Sequence, residues 1–135
     1  MNVSVRKIVV DSDIILDHLT TVDDVSILRR LMARYFCYTT VFNAIELFAA
    51  ARSKEEVQTI DDAMYAMKVL GVNSKSAKNI AKPFSSANRE LRGLIAGVCI
   101  ESRLPIVTLQ PKRYKKIPSL EVIPALSLLN ESSNL

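Results

Sequence analysis

Two carboxylates, Asp11 and Asp13, follow directly on the β-branched run Ile8-Val9-Val10, and this is the first place in the 135-residue chain where chemistry could be concentrated. An apolar run without polar alternation predicts a buried strand over Ile8 to Val10. From Asp13 onward Ile14, Ile15, Leu16 and Leu19 fall at helical spacing, with Ser12 or Asp13 placed to accept from the first free backbone N–H groups. Ligands of open α/β sheets bind at the carboxyl ends of strands, so acids at this junction are candidate site residues. Capping of the helix accounts for them equally well. A third acid, Glu46, lies in the apolar stretch Val41 to Ala51, with Phe42, Ala49 and Ala50 on its own side of the cylinder. Such an acid either reaches water at the rim or is held inward for a purpose.

Other chemistries are excluded. The chain has no Gly-rich phosphate loop, no GxSxG elbow and no paired Cys or His at zinc spacing. Its one histidine, His18 beside Asp17, reads as a surface residue of an amphipathic helix, which leaves His-dependent nucleophilic catalysis without support.

The elements that must position these acids alternate along the chain. Asp23-Asp24 in a first turn, then Val25, Leu28, Leu31 and Met32, predict a second helix. Phe36 to Thr39 predicts the second strand, and Thr39 or Thr40 caps the helix that carries Glu46. A helix follows from Ser53, with Glu55-Glu56 in its first turn and Val57, Ile60, Met64 and Met67 along one stripe. A brief strand is expected within Val69 to Val72, and a Lys-bearing helix over Ser74 to Ala81, stopped by Pro83. A helix from Asn88 is closed by Arg103-Leu104-Pro105. A strand at Ile106 to Leu109, a basic turn from Pro111 to Lys116 and a last strand at Leu120 to Ile123 complete the series. Strands separated by helices describe a three-layer α/β/α domain with a mainly parallel sheet. The tail from about Asn130 is expected to fray.

Composition agrees. At 49% hydrophobic the chain holds enough apolar material for one core and one domain over residues 1–135. With 6% aromatic residues, no Trp and three Gly, it is poorly suited to an all-β sandwich or to base stacking. Cys37 and Cys99 read as reduced core residues of a cytoplasmic protein, with no signal peptide and no membrane span. The formal charge of +4 is unevenly spread, −2 over residues 1–70 and +6 over residues 71–135. A basic half suits a polyanion partner.

The chain resembles PIN domains, in particular the VapC-type toxins of bacterial and archaeal toxin-antitoxin pairs. Three blocks carry the likeness: Val9 to Leu16, Thr39 to Leu47, and Leu94 to Gly97 continuing through Leu104 to Tyr114 and Leu120 to Ile123. The resemblance implies a metal-dependent endoribonuclease whose clustered carboxylates hold Mg²⁺ or Mn²⁺. Asp11 matches the first family acid and Glu46 the second, while Asp13 stands where the family often has a small polar residue. It also implies a homodimer and an antitoxin-like protein partner.

Two places depart from the pattern. The third family acid falls at Arg92, and Thr108-Leu109-Gln110-Pro111-Lys112-Arg113 keeps a Thr but supplies no carboxylate. Arginine cannot be deprotonated, and a cation about 4 Å from a carboxylate is worth roughly 4 kcal/mol at an effective dielectric of about 20. Arg92 is therefore expected to fork onto Asp11, Glu46 or both, leaving Mg²⁺ or Mn²⁺ weak or absent. The alternative is that it swings out to solvent and Asp11, Asp13 and Glu46 keep one weak metal. Two functional readings follow: a weak or inactive scaffold that holds RNA or a partner, and a single-metal endoribonuclease. In either, Arg89, Arg92, Lys112, Arg113, Lys115 and Lys116 are candidate phosphate contacts.

Overall fold

A computed structural model describes the backbone of residues 6–133 and the side chains of residues 6–130. Five short strands, β1 (Lys7–Val10), β2 (Phe36–Thr40), β3 (Lys68–Leu70), β4 (Ile106–Thr108) and β5 (Val122–Pro124), form one sheet. Every pairing is parallel, and the strand order is β3-β2-β1-β4-β5. The order reverses between β1 and β4, where consecutive crossovers leave in opposite directions and open a crevice at the carboxyl ends. Asp11 and Thr108 stand at that crevice.

Helices cover both faces. The elements are α1 (Ser12–Thr20), α2 (Ile27–Met32), α3 (Val41–Ala50), α4 (Lys54–Tyr65), α5 (Ser76–Ser86), α6 (Leu91–Ser102) and α7 (Ala125–Ser133), with a 3-10 turn at Pro111–Tyr114. Because side chains alternate along a strand, Ile8 and Val10 join the core beneath α1, α2, α3, α4 and α7, while Val9 joins Ile95, Cys99 and Tyr114 on the α6 side. Both faces of β1 are thus buried, which is why its sequence is apolar without alternation.

Local chemistry sets most boundaries. Asp11 itself, one residue earlier than expected, is the N-cap of α1. Ser26 caps α2, so Asp23 and Asp24 lie before that helix and not in its first turn. Thr40 and Asn43 form a capping box at the start of α3, and Ser53 caps α4 as expected. The expected stop at Pro83 does not occur, because α5 runs through it. There α5 lies so close to α6 that a Cβ at Gly93 would stand 2.7 Å from the Phe84 Cα and 2.9 Å from the Pro83 carbonyl. Interhelical packing outweighs the missing N–H of one proline. Residues Asn88 and Arg89 take left-handed φ values of 55° and 58°, which delays α6 to Leu91. At the other end α7 continues to Ser133, so Asn130 to Ser133 of the expected frayed tail are helical, while Asn134 and Leu135 lie outside the described residues.

Candidate functional site: a carboxylate pocket closed by an arginine

The pocket begins at the end of β1. The Asp11 N–H donates to the Val107 carbonyl at 3.0 Å, continuing the parallel ladder one residue beyond the strand, and fixes a carboxylate with no solvent exposure. Its Oδ1 accepts from the Ser12 N–H at 2.8 Å, from Asn43 Nδ2 at 3.0 Å and from Arg113 Nη1 at 3.0 Å. Its Oδ2 accepts from the Thr108 hydroxyl at 2.8 Å. Four donors from four segments of chain converge on one buried acid.

Each donor is held in turn. Asn43 is fully buried, its Oδ1 accepting from the Thr40 hydroxyl at 2.7 Å and its Nδ2 donating also to the Ser12 hydroxyl at 2.9 Å. Thr108, last residue of β4, accepts at its Oγ1 from the Gln110 N–H at 3.1 Å. That hydroxyl has one proton and two carboxylate neighbours, because Asp13 Oδ2 lies 3.1 Å away and also accepts from the Leu109 N–H at 3.1 Å. One turn along α3 from Asn43, and so on the same face, Glu46 accepts from Arg113 Nη2 at 2.7 Å through its Oε2. A single guanidinium therefore bridges Asp11 and Glu46, with its side chain 21% exposed.

Electrostatics follow from this crowding. Burial, and then the Asp11 charge, raise the Asp13 carboxyl above its ordinary value, against the lowering effect of hydrogen bonds from Leu109, Thr108 and Ile14. Burial alone would lower the Arg113 guanidinium, but Tyr114, Asp11 and Glu46 raise it and the net direction is upward. The Arg113 guanidinium lies 5.6 Å from the centre of the Tyr114 ring. Burial and the neighbouring Asp11 push the Tyr114 hydroxyl far up, and it closes no hydrogen bond of good geometry.

The structure brings Asp11, Asp13 and Glu46 together as expected but corrects the arginine. Arg92 does not reach the carboxylates: its Nε donates to Glu90 Oε2 at 3.0 Å and its Nη1 to the Arg113 carbonyl at 3.2 Å. The physical reason is proximity, since Glu90 at the N-cap of α6 gives Arg92 an acid two residues away. Arg113, expected among the phosphate contacts, instead points inward and fills the role foreseen for Arg92. Arg89, Lys112, Lys115 and Lys116 are exposed. Asn43 and the Ser12 hydroxyl were absent from the candidates. The signal for Asn43 was an amide three residues after a Thr N-cap in an otherwise apolar helix, where a buried amide must find partners.

Hard oxygen donors suit Mg²⁺ or Mn²⁺, and one oxygen each of Asp13 (Oδ1) and Glu46 (Oε1) is buried without a partner. Yet Asp11 already accepts four hydrogen bonds, and Arg113 lies on one oxygen each of Asp11 and Glu46. Among the described residues no group of three or more His, Cys, Asp or Glu side chains is arranged to hold a metal ion. As arranged, the pocket does not fit a divalent cation, because a cation of the chain itself occupies it.

No family model matches the sequence, and no curated protein matches it. Solved structures do. A chain of the VapBC2 complex of Rickettsia felis bound to a DNA fragment from its promoter aligns with a TM-score of 0.70 at 17% identity, over 86% of this chain and 96% of that one. A toxin-antitoxin complex from Klebsiella pneumoniae gives 0.68 at 16%, over 87% and 97%. FitAcB from Neisseria gonorrhoeae gives 0.65 at 16%, over 88% and 98%. The fold is thus the PIN-like fold of VapC and FitB toxins. Among the described residues no helix is long and apolar enough to cross a membrane.

Proposed function

We propose that this PIN-fold protein is a catalytically weak or inactive relative of VapC-type endoribonucleases that serves as a scaffold for RNA or for an antitoxin-like protein partner. One observation carries the reading: Arg113 bridges Asp11 and Glu46 at 3.0 and 2.7 Å. With Asp11, Asp13 and Glu46 ionised, Arg113 reduces the pocket's charge from −3 to −2 and takes one acceptor oxygen each of Asp11 and Glu46. Arg89, Lys112, Lys115 and Lys116 stay exposed and available to phosphates. Homodimerisation and a cytoplasmic location belong to the same proposal.

A second reading is favoured by the two unpartnered oxygens, Asp13 Oδ1 and Glu46 Oε1. In it the protein is a single-metal endoribonuclease using Asp11, Asp13 and Glu46 once Arg113 has withdrawn. Calorimetric titration with Mn²⁺, run beside cleavage of a single-stranded RNA, separates the two. The scaffold reading expects no stoichiometric binding tighter than millimolar, no Mn²⁺-dependent cleavage, and RNA retention that weakens steeply with salt. Tight Mn²⁺ binding with cleavage establishes the second reading.

A further inference from the structure

The placement of Arg113 is unusual in that the segment carrying it can do little to fix it. A four-residue 3-10 turn closes few hydrogen bonds of its own, and those have poor geometry. Around the turn the Arg113 N–H donates to the Gln110 carbonyl at 2.9 Å and the Lys115 N–H to the Lys112 carbonyl at 3.2 Å, and neither bond engages the Arg113 carbonyl. Two outside anchors flank the turn. On one side the Gln110 N–H rests on the Thr108 hydroxyl, and on the other Tyr114 is buried with 2% exposure in the α6-side core. The Gln110 carbonyl takes the Arg113 N–H, and the Tyr114 ring lies 5.6 Å from the Arg113 guanidinium, but neither holds the Arg113 carbonyl.

The third anchor does. The Arg113 carbonyl accepts from Nη1 of Arg92 at 3.2 Å, while Arg92 Nε is held by Glu90 at 3.0 Å. The Arg92 side chain is 18% exposed, with its Nε and Nη1 both engaged. The arrangement alternates in charge: Glu90, Arg92, the Arg113 carbonyl dipole, the Arg113 guanidinium, then Asp11 and Glu46. Glu90 offsets the charge of Arg92, so two arginines lie close together at reduced mutual repulsion. The rigid fork of a guanidinium suits this task because it serves a carboxylate and a carbonyl with different nitrogens at once, which a lysine ammonium cannot do in the same fixed geometry.

From this we infer that Arg92 is a positioning residue: it clamps the turn through the Arg113 carbonyl and so holds the Arg113 guanidinium on the Asp11 and Glu46 carboxylates. The inference rests on the reading that Arg113 keeps divalent cations out of the pocket. It assigns the arginine at the position of the third family acid to the support of the internal cation, one step removed from the carboxylates.

A double-variant cycle read by Mn²⁺ affinity tests it, with Arg113→Ala, Arg92→Ala and the pair measured by calorimetry. Arg113→Ala tightens Mn²⁺ binding by roughly tenfold or more. Arg92→Ala, which removes one hydrogen bond from the clamp, tightens it roughly threefold to tenfold in the wild-type background and not at all beside Arg113→Ala. Arg92→Lys keeps the charge and tolerates burial; positioning places it between wild type and Arg92→Ala. Side-chain nitrogen NMR of Arg113 gives an independent readout, its guanidinium signals broadening and exchanging faster in Arg92→Ala. If Arg113→Ala leaves Mn²⁺ affinity unchanged, the exclusion reading falls and takes this inference with it. If Arg113→Ala acts but Arg92→Ala is silent, or acts equally in both backgrounds, or Arg92→Lys matches wild type, only the positioning role is overturned.

Discussion

The two corners of the carboxylate pocket are joined by one guanidinium yet built to opposite standards. At the Asp11 corner, Ser12, Asn43, Thr108 and Arg113 all donate to a side chain with no exposure, so the acid ties β1, α3, β4 and the 3-10 turn to one point. At the Glu46 corner a side chain 33% exposed accepts, among the described residues, from Arg113 alone and leaves its other oxygen without a partner. The difference separates architecture from adjustability. Asp11 holds the crevice in shape, and Glu46 is the arm that can change partners.

Removing the Asp11 carboxylate should therefore have the largest effect. Asp11→Ala takes the shared acceptor from a half-buried guanidinium, a buried amide and a buried hydroxyl together, and urea unfolding should show a loss of about 3–5 kcal/mol. A loss under about 1 kcal/mol would mean that the corner reorganises freely and that the contrast is false. Glu46→Gln should cost only about 1 kcal/mol in the same measurement, because its one charged hydrogen bond is partly solvated. Comparable losses at both sites would merge the two corners into one.

Asp13 gives the smallest effect and sharpens the comparison through pH. Its folded pKa is raised above 3.8, chiefly by burial and then by the Asp11 charge. An acid raised on folding is fully accommodated below its unfolded pKa and costs stability as pH rises through the folded value. Asp13→Asn should abolish that loss, so chemical denaturation across the acid range should show the variant gaining on wild type as pH climbs above 3.8. A gap between the two that stays constant with pH would contradict it.

Much of this arrangement was legible because it is local. The apolar run of β1, the Thr and Ser caps of α3 and α4, and acids after strands each announce themselves within a few residues. Asp11 and Glu46 were readable for that reason. The arginine was not. Arg92 and Arg113 are 21 positions apart, and which one reaches the carboxylates depends on a short 3-10 turn and on Glu90 standing nearer to Arg92. Pro83 failed as a stop signal for a similar reason: the close approach of α5 to Gly93 is a property of two helices together and not of either sequence.

A counter-ion that is also a residue has a stoichiometry of one in every molecule made. Chelators cannot strip it, dilution cannot release it, and its supply does not vary with the mineral content of the cell. The bridge from Arg113 thus makes the shape of the crevice an inherited property of the polypeptide, decoupled from the ionic composition of its surroundings.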